Sequence, residues 1–310
     1  MYPSTTRREF VKAATASIGG IALATPSPDL FGAENTRTPV VDTHVHCFAG
    51  RNDPRFPYHP NGPYRPADIA TPEQLLQAMN AGGVDYAVVV HPEPYQDDHR
   101  YLTHCLEVGK DRLKGTCLFF ADHPETFEKL PALAKSVPVA AVRVHAYAPE
   151  RLPPFDKPEL RKLWQLAGEL GLIVQVHLEP RYAVRLEPLI KEFPSVRVVI
   201  DHLGRPLQGT PEEHAVVIGW SKYPHTVLKI SALSTPETYP HRDVSPIIKQ
   251  LVSAYGADRL ICGGGFAPGA TGASYHGFRE QVRAHLGDLS AADQAKVIGG
   301  TAAKLFGFVS

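Results

Sequence analysis

Two histidines one residue apart, His44 and His46, close a short apolar run that reads Val40-Val41-Asp42-Thr43-His44-Val45-His46. On a strand, side chains two residues apart share a face, so this spacing sets Asp42, His44 and His46 on one side. Imidazoles so placed converge on a common point and can grip a divalent metal. Similar runs downstream also end in polar groups: His91, then Arg143 and His145, His177 and Glu179, Asp201 and His202, and Lys229. Such regular placement at strand ends gathers them on one rim. His91 and His145 also read as plain rim residues, and Arg143 as the partner of a nearby acid. Strand parity sets Asp201 opposite His202, which assigns it to orienting a helix or a turn.

The elements that must position these groups are legible as eight β-branched runs: Val40–His46, Tyr86–His91, Leu113–Phe119, Ala140–Ala146, Leu172–Leu178, Val196–His202, Val227–Ser231 and Arg259–Gly263. Helical segments alternate with them, which is the pattern of a parallel sheet wrapped by helices. Thr71-Pro72-Glu73 and Thr210-Pro211-Glu212 each put a capping hydroxyl before a first-turn proline and an acid. Gly171 and Gly256 fall where helices stop. Eight strand–helix units without a break in composition predict one α/β domain, a (β/α)8 TIM barrel, with its chemistry at the carboxyl ends of the strands. The 310 residues, 43% of them hydrophobic, are ample for a barrel of typically ~250 residues. The long connection from Ala49 to Ala70, rich in Pro, Arg and Tyr, leaves the first strand above the histidine pair and reads as a lid. Its arginines suit an anionic substrate.

Lys+Arg and Asp+Glu each number 32, so no basic excess points to nucleic acid. No apolar run is long enough for stable membrane insertion. Thr6-Arg7-Arg8-Glu9-Phe10-Val11-Lys12, followed by an Ala/Gly/Ser run, resembles a twin-arginine export signal. It makes residues 1–33 a leader with a short linker and 34–310 the barrel. It also implies the twin-arginine export machinery as a partner and a periplasmic or otherwise exported location. The four cysteines lack metal-type spacing and are expected as buried free thiols.

Several segments together resemble the amidohydrolase-related family, and within it the lactone hydrolases similar to 2-pyrone-4,6-dicarboxylate lactonase. They are Asp42–His46, Asn80–Asp85 with Val88–Pro92, Ala141-Val142-Arg143, Val174–His177, Ile200–Pro206 and the closing Gly299–Gly307, where Thr301 stands for the usual Asn. The resemblance implies a hydrolase opening a carboxylated lactone or a similar cyclic ester. His44, His46 and His177 would hold a divalent ion, zinc by default or none at all. His202 would act as a further ligand or hydrogen-bond the substrate, and Arg143, His145 and Lys229 would bind a small anionic substrate. One departure stands out. The family's eighth strand carries a general-base Asp, and here the run is Cys262-Gly263-Gly264-Gly265-Phe266, with Gly265 in that place. Glycine has no group to take a proton. Glu179 is the acid positioned to substitute, in which case Asp at 265 would help little; Gly263-Gly264-Gly265 reads instead as a relaxed turn with no replacement base, so Asp restored at 265 is expected to raise hydrolysis. A decarboxylase of the same superfamily, or an exported binding protein with impaired catalysis, are the alternatives.

Overall fold

The structure, a computed structural model, describes residues 37–233 and 241–309. The leader expected over 1–33, with Arg7 and Arg8, lies outside the described residues. Strands β1 (Val41–Val45), β2 (Tyr86–Val90), β3 (Leu113–Leu118), β4 (Val139–Ala146), β5 (Ile173–Leu178), β6 (Val198–Ile200), β7 (Thr226–Ile230) and β8 (Leu260–Cys262) each coincide with an expected run. They lie in sequence order and all their pairings are parallel. Between and after them run α1 (Pro72–Gly82), α2 (Arg100–Gly109), α3 (Thr126–Ser136), α4 (Pro158–Glu169), α5 (Ala183–Glu192), α6 (Pro211–Gly219), α7 (Ser245–Tyr255) and α8 (Gly272–His285). Thr71 and Thr210 cap α1 and α6 as the sequence predicts. In each, the threonine hydroxyl accepts from the backbone three residues on at 3.2 Å, and that residue's side chain answers at 2.9 or 2.8 Å.

The barrel interior is layered. Val41, Val88, Ala141, Ile173, Val199, Val227 and Ile261 form an apolar floor, sealed from below by Ala302, Ala303 and Phe306. Two residues further along, the same inward parity brings Arg143, Gln175, Asp201 and Lys229 into a buried polar layer. The outward residues Val142, Val144, Val174 and Val176 join Leu160, Leu163 and Trp164 of α4 in the core beneath the helices.

Strand β1 departs from simple alternation. Val41 belongs to the barrel floor and Val45 to the helix-side core, although four residues apart they would share a face. The β1–β2 register slips between Asp42 and Val45, and this bulge reverses the parity. It turns His44 and His46 inward and leaves Asp42 on the other side beside Tyr275, so the expected common face of these three residues is corrected to the two histidines. Asp42 instead closes the barrel. Its carboxylate accepts from the N–H groups of Gly264 at 2.8 Å, Gly265 at 2.9 Å and His44 at 3.0 Å. Alongside, the Thr43 hydroxyl donates to the Cys262 carbonyl at 2.8 Å. The β8–β1 seam is thus sewn by side chains.

The segment 49–70 is pinched at its base by two hydrogen bonds between Phe48 and Ala70, of 2.8 and 2.9 Å. It rests on the β2–α2 connection, where His59 N donates to Pro94 O at 2.8 Å and Tyr58 packs on Tyr95. Its arginines serve the loop itself, contrary to expectation: Arg51 donates to the Arg65 carbonyl and Arg55 pairs with Asp53. All four cysteines are buried free thiols, as expected. No described helix is long and apolar enough to cross a membrane.

Candidate active site

Asp201 is the hub of the polar layer, fully buried. Arg143 donates to its Oδ2 from Nε at 3.0 Å and from Nη2 at 2.8 Å. Gln175 adds a third bond at 2.9 Å and is itself held by Thr116. The Lys229 ammonium lies 3.0 Å from Oδ1, donates to the Thr43 carbonyl at 3.0 Å and stands 3.3 Å from His44 Nδ1. Burial raises the Asp201 pKa, but Lys229 and Arg143 outweigh it and hold the carboxyl well below its usual range. Asp201 is therefore a lumen residue, which corrects the parity argument. Strand β6 ends at Ile200, and Asp201 follows Val199 inward. His202 reaches the lumen as well because its backbone turns left-handed, with φ of 53°. Arg143 and Lys229, expected to meet substrate, are both committed to Asp201.

Above this layer the imidazoles form an arc. Ring centroids lie 4.9 Å apart for His46–His44, 4.4 Å for His44–His202, 5.3 Å for His202–His177 and 5.0 Å for His177–His145. His46 donates from Nδ1 to the Val90 carbonyl at 2.7 Å, so its Nε2 carries a lone pair, and it faces His44 Nε2 at 3.3 Å. Two nitrogens bound to one tetrahedral zinc stand roughly 3.4 Å apart, given bonds of ~2.0–2.1 Å. The spacing of the His44–His46 pair thus matches two ligands of one divalent ion once the His44 proton sits on Nδ1 rather than Nε2. His44, Asp201 and His202 also bring ligand atoms within 4.8 Å of one another, but Asp201 is engaged by two cations. His177 is turned elsewhere. Its Nε2 accepts from Arg205, whose guanidinium also covers the Tyr147 ring at 4.2 Å. Arginine has no acceptor, so the His177 proton sits on Nδ1, which is buried without a protein partner.

The remaining expected residues fall as follows. Glu179 accepts from Ala148 N at 3.2 Å and pairs with Arg181, which leaves it occupied. His202 Nδ1 meets Ser231 Oγ at 2.9 Å. His145 Nδ1 lies 3.3 Å from Glu93, an acid the sequence did not mark. His91 packs on His99 and hydrogen-bonds the Gln96 carbonyl at 2.9 Å, a structural role. Arg205 was also missed as a site residue. It follows three left-handed residues, His202, Leu203 and Gly204, and is left-handed itself, a fold-back that strand counting cannot foresee.

Burial keeps these imidazoles neutral. It pulls His46 down to about 4, helped by the Arg143 charge, and His202 down to about 3 against the opposing charge of Asp201. A histidine in the unfolded chain titrates near ~6.5. Between that value and ~4 the unfolded state binds more protons, so folding stability rises with pH there and is lost as pH falls. Each such histidine contributes a slope of up to about 1.4 kcal/mol per pH unit. Melting followed from pH 7 to pH 5 is expected to show a steep, monotonic loss of Tm, and a flat profile would contradict neutral burial.

A histidine-lined mouth at the carboxyl end of an eight-stranded parallel barrel is where barrel enzymes carry their chemistry. Residues 41–308 match the family described as amidohydrolase, and the chain belongs to that family. It is 28% identical over 206 residues to an L-fucono-1,5-lactonase of Burkholderia ambifaria, covering 62% of this chain and 68% of that protein. Its fold matches a probable 2-pyrone-4,6-dicarboxylic acid hydrolase of Acinetobacter baumannii, whose crystal structure holds citric acid. That likeness has a TM-score of 0.69 at 21% identity and covers 86% of this chain and 99% of the other. It also matches a zinc-bound amidohydrolase of Burkholderia multivorans, with TM-score 0.71, 18% identity and coverage of 87% and 99%.

Proposed function

We propose that the protein hydrolyses a lactone that carries a carboxylate. The observation behind this reading is the charge of the mouth. Among the described residues, the five cations Arg143, Lys229, Arg205, Arg151 and Arg181 stand against three acids, Asp201, Glu93 and Glu179. Neutral imidazoles line the space between them. Excess fixed positive charge in a recessed site favours anions, and neutral histidines offer donors and lone pairs to a carbonyl and a water. The similarity to lactone-acting relatives supports the same class.

Arg205 takes the anchoring role first assigned to Arg143. It is half-buried, held by His177 and Tyr147, and keeps N–H donors beyond the one given to His177. The unpartnered His177 Nδ1–H serves as a donor to the lactone carbonyl. His44 and His46 would hold a zinc ion, which when bound supplies a water of pKa near ~7. Asp201 fixes Arg143 and Lys229, and through them the positive field of the site.

Removing a charge-assisted bidentate contact costs roughly 1.5–3 kcal/mol, one to two decades in binding. Arg205→Ala is therefore expected to raise KM for a carboxylated lactone about 10- to 100-fold and to leave KM for an uncharged sugar lactone nearly unchanged. An equal effect on both substrates would remove Arg205 as the anchor.

A further inference from the structure

The resemblance implies a general-base acid at position 265, where Gly265 stands, and the acids nearby do not fill that role. Asp201 is bound to two cations, Glu179 to Arg181, and Asp42 to the β8 backbone on the far side of β1. Among the described residues, His145 is placed to accept a proton. His145 lies at the end of β4 and shares its inward parity with Ala141 and Arg143. Its ring stands edge-on to His177 and is almost wholly buried, yet Nε2 has no hydrogen-bond partner. On its other side, Nδ1 lies 3.3 Å from Glu93 Oε1. That contact is an ion-pair distance without full hydrogen-bond alignment, as is common in a catalytic pair before substrate arrives. Glu93 sits on the short helical turn Glu93–Tyr95 just beyond β2 and is gripped from behind by Arg151. Burial raises its pKa, but His145 and Arg151 overcome this and hold it at about 2. A carboxylate fixed against Nδ1 selects the tautomer with the proton on Nδ1, which leaves the lone pair on the buried, unpartnered Nε2.

We propose that His145, oriented by Glu93, is the general base that replaces the absent aspartate. The proposal rests on the lactonase reading above. A water oxygen bonds to the lactone carbonyl carbon, its proton passes to His145 Nε2, and the carbonyl π electrons move onto oxygen. When the tetrahedral adduct collapses, the bond from the acyl carbon to the ring oxygen breaks. The proton on His145 then goes to that oxygen, giving the hydroxy acid and a neutral histidine. Glu93 is a positioning residue: it sets the tautomer and steadies the transient imidazolium, as the carboxylate does in hydrolytic triads.

The test combines turnover with a direct view of the tautomer in the full-length protein. A general base contributes ~10²- to 10⁴-fold, so His145→Ala is expected to lower kcat by that factor with KM little changed, and added imidazole to restore part of the loss. Glu93→Gln is expected to lower kcat at least ~10-fold, with Glu93→Asp recovering more than Glu93→Gln does. Nitrogen-15 NMR of labelled histidines is expected to place the His145 proton on Nδ1 in the wild type and to shift it in Glu93→Gln. A wild type that opens lactones at a rate His145→Ala does not alter overturns the dyad and leaves the lactonase reading intact. A wild type that opens no lactone overturns that reading and the catalytic role together. A His145 proton found on Nε2 overturns the dyad whatever the turnover.

Discussion

Asp201→Ala is expected to lower the melting temperature by roughly 10 °C or more. The substitution leaves Arg143 and Lys229 buried without a counter-charge and strips Gln175 of its acceptor. Breaking a buried ion pair from one side costs ~3–5 kcal/mol, and in a domain of this size each kcal/mol moves Tm by about 2–4 °C. Asp201→Asn keeps the shape and an acceptor oxygen for Arg143, so it is expected to cost less. The sharper check is a double-mutant cycle with Lys229→Met. If the carboxylate exists to neutralise the lysine, the double variant should be more stable than the sum of the two single losses predicts, by ~0.5–3 kcal/mol. Strict additivity would separate the two residues and point to a different role for Asp201.

The second large effect reverses a sequence expectation. Gly265→Asp is expected to destabilise the protein by several kcal/mol and to leave hydrolysis no faster, although a carboxylate there is what the resemblance to the family implies. A Cβ on Gly265 meets Tyr275 ring carbons at 2.6 and 2.7 Å and Phe278 at 3.2 Å, so the new side chain is driven against α8. Overpacking costs ~1–3 kcal/mol, and here the added group is a carboxylate beside the buried Asp42, whose Oδ2 the Gly265 N–H already serves. The three glycines are not a slack turn. A Cβ at Gly263 comes within 2.5 Å of His44 N, and Gly264 holds φ at 114°, which side-chain-bearing residues rarely adopt. Close approach of β8 to β1 requires the glycines, and Asp42 clamps them. Activity gained by Gly265→Asp without a loss of Tm would show that the end of β8 can swing to face the lumen.

These cases mark where residue patterns stop being readable. The strands and the Thr71 and Thr210 caps were legible because alternation and capping are local. His44 and His46 were legible for the same reason, once two imidazoles fell at one strand end. Strand parity breaks at Asp42 because a single bulged residue inverts every face after it. It misplaced Asp201 because it continued the sixth strand to His202, where the structure ends the strand at Ile200 and turns the chain left-handed. Glu93 and Arg205 lie beyond their strands on short turns, where no periodicity points a side chain anywhere. Arg143 was recognised as a strand-end cation, but its partner is non-local, 58 residues away.

Opening of a lactone by water in this barrel can be followed directly. It is tested most directly by following proton release and carbon dioxide together, with the wild-type protein and a panel containing L-fucono-1,5-lactone and 2-pyrone-4,6-dicarboxylate, each corrected for spontaneous hydrolysis. Stoichiometric proton release with no gas is expected, fastest on a carboxylated lactone. Carbon dioxide evolved from a carboxylated substrate, or no turnover of any lactone by a protein that still binds them, would contradict it.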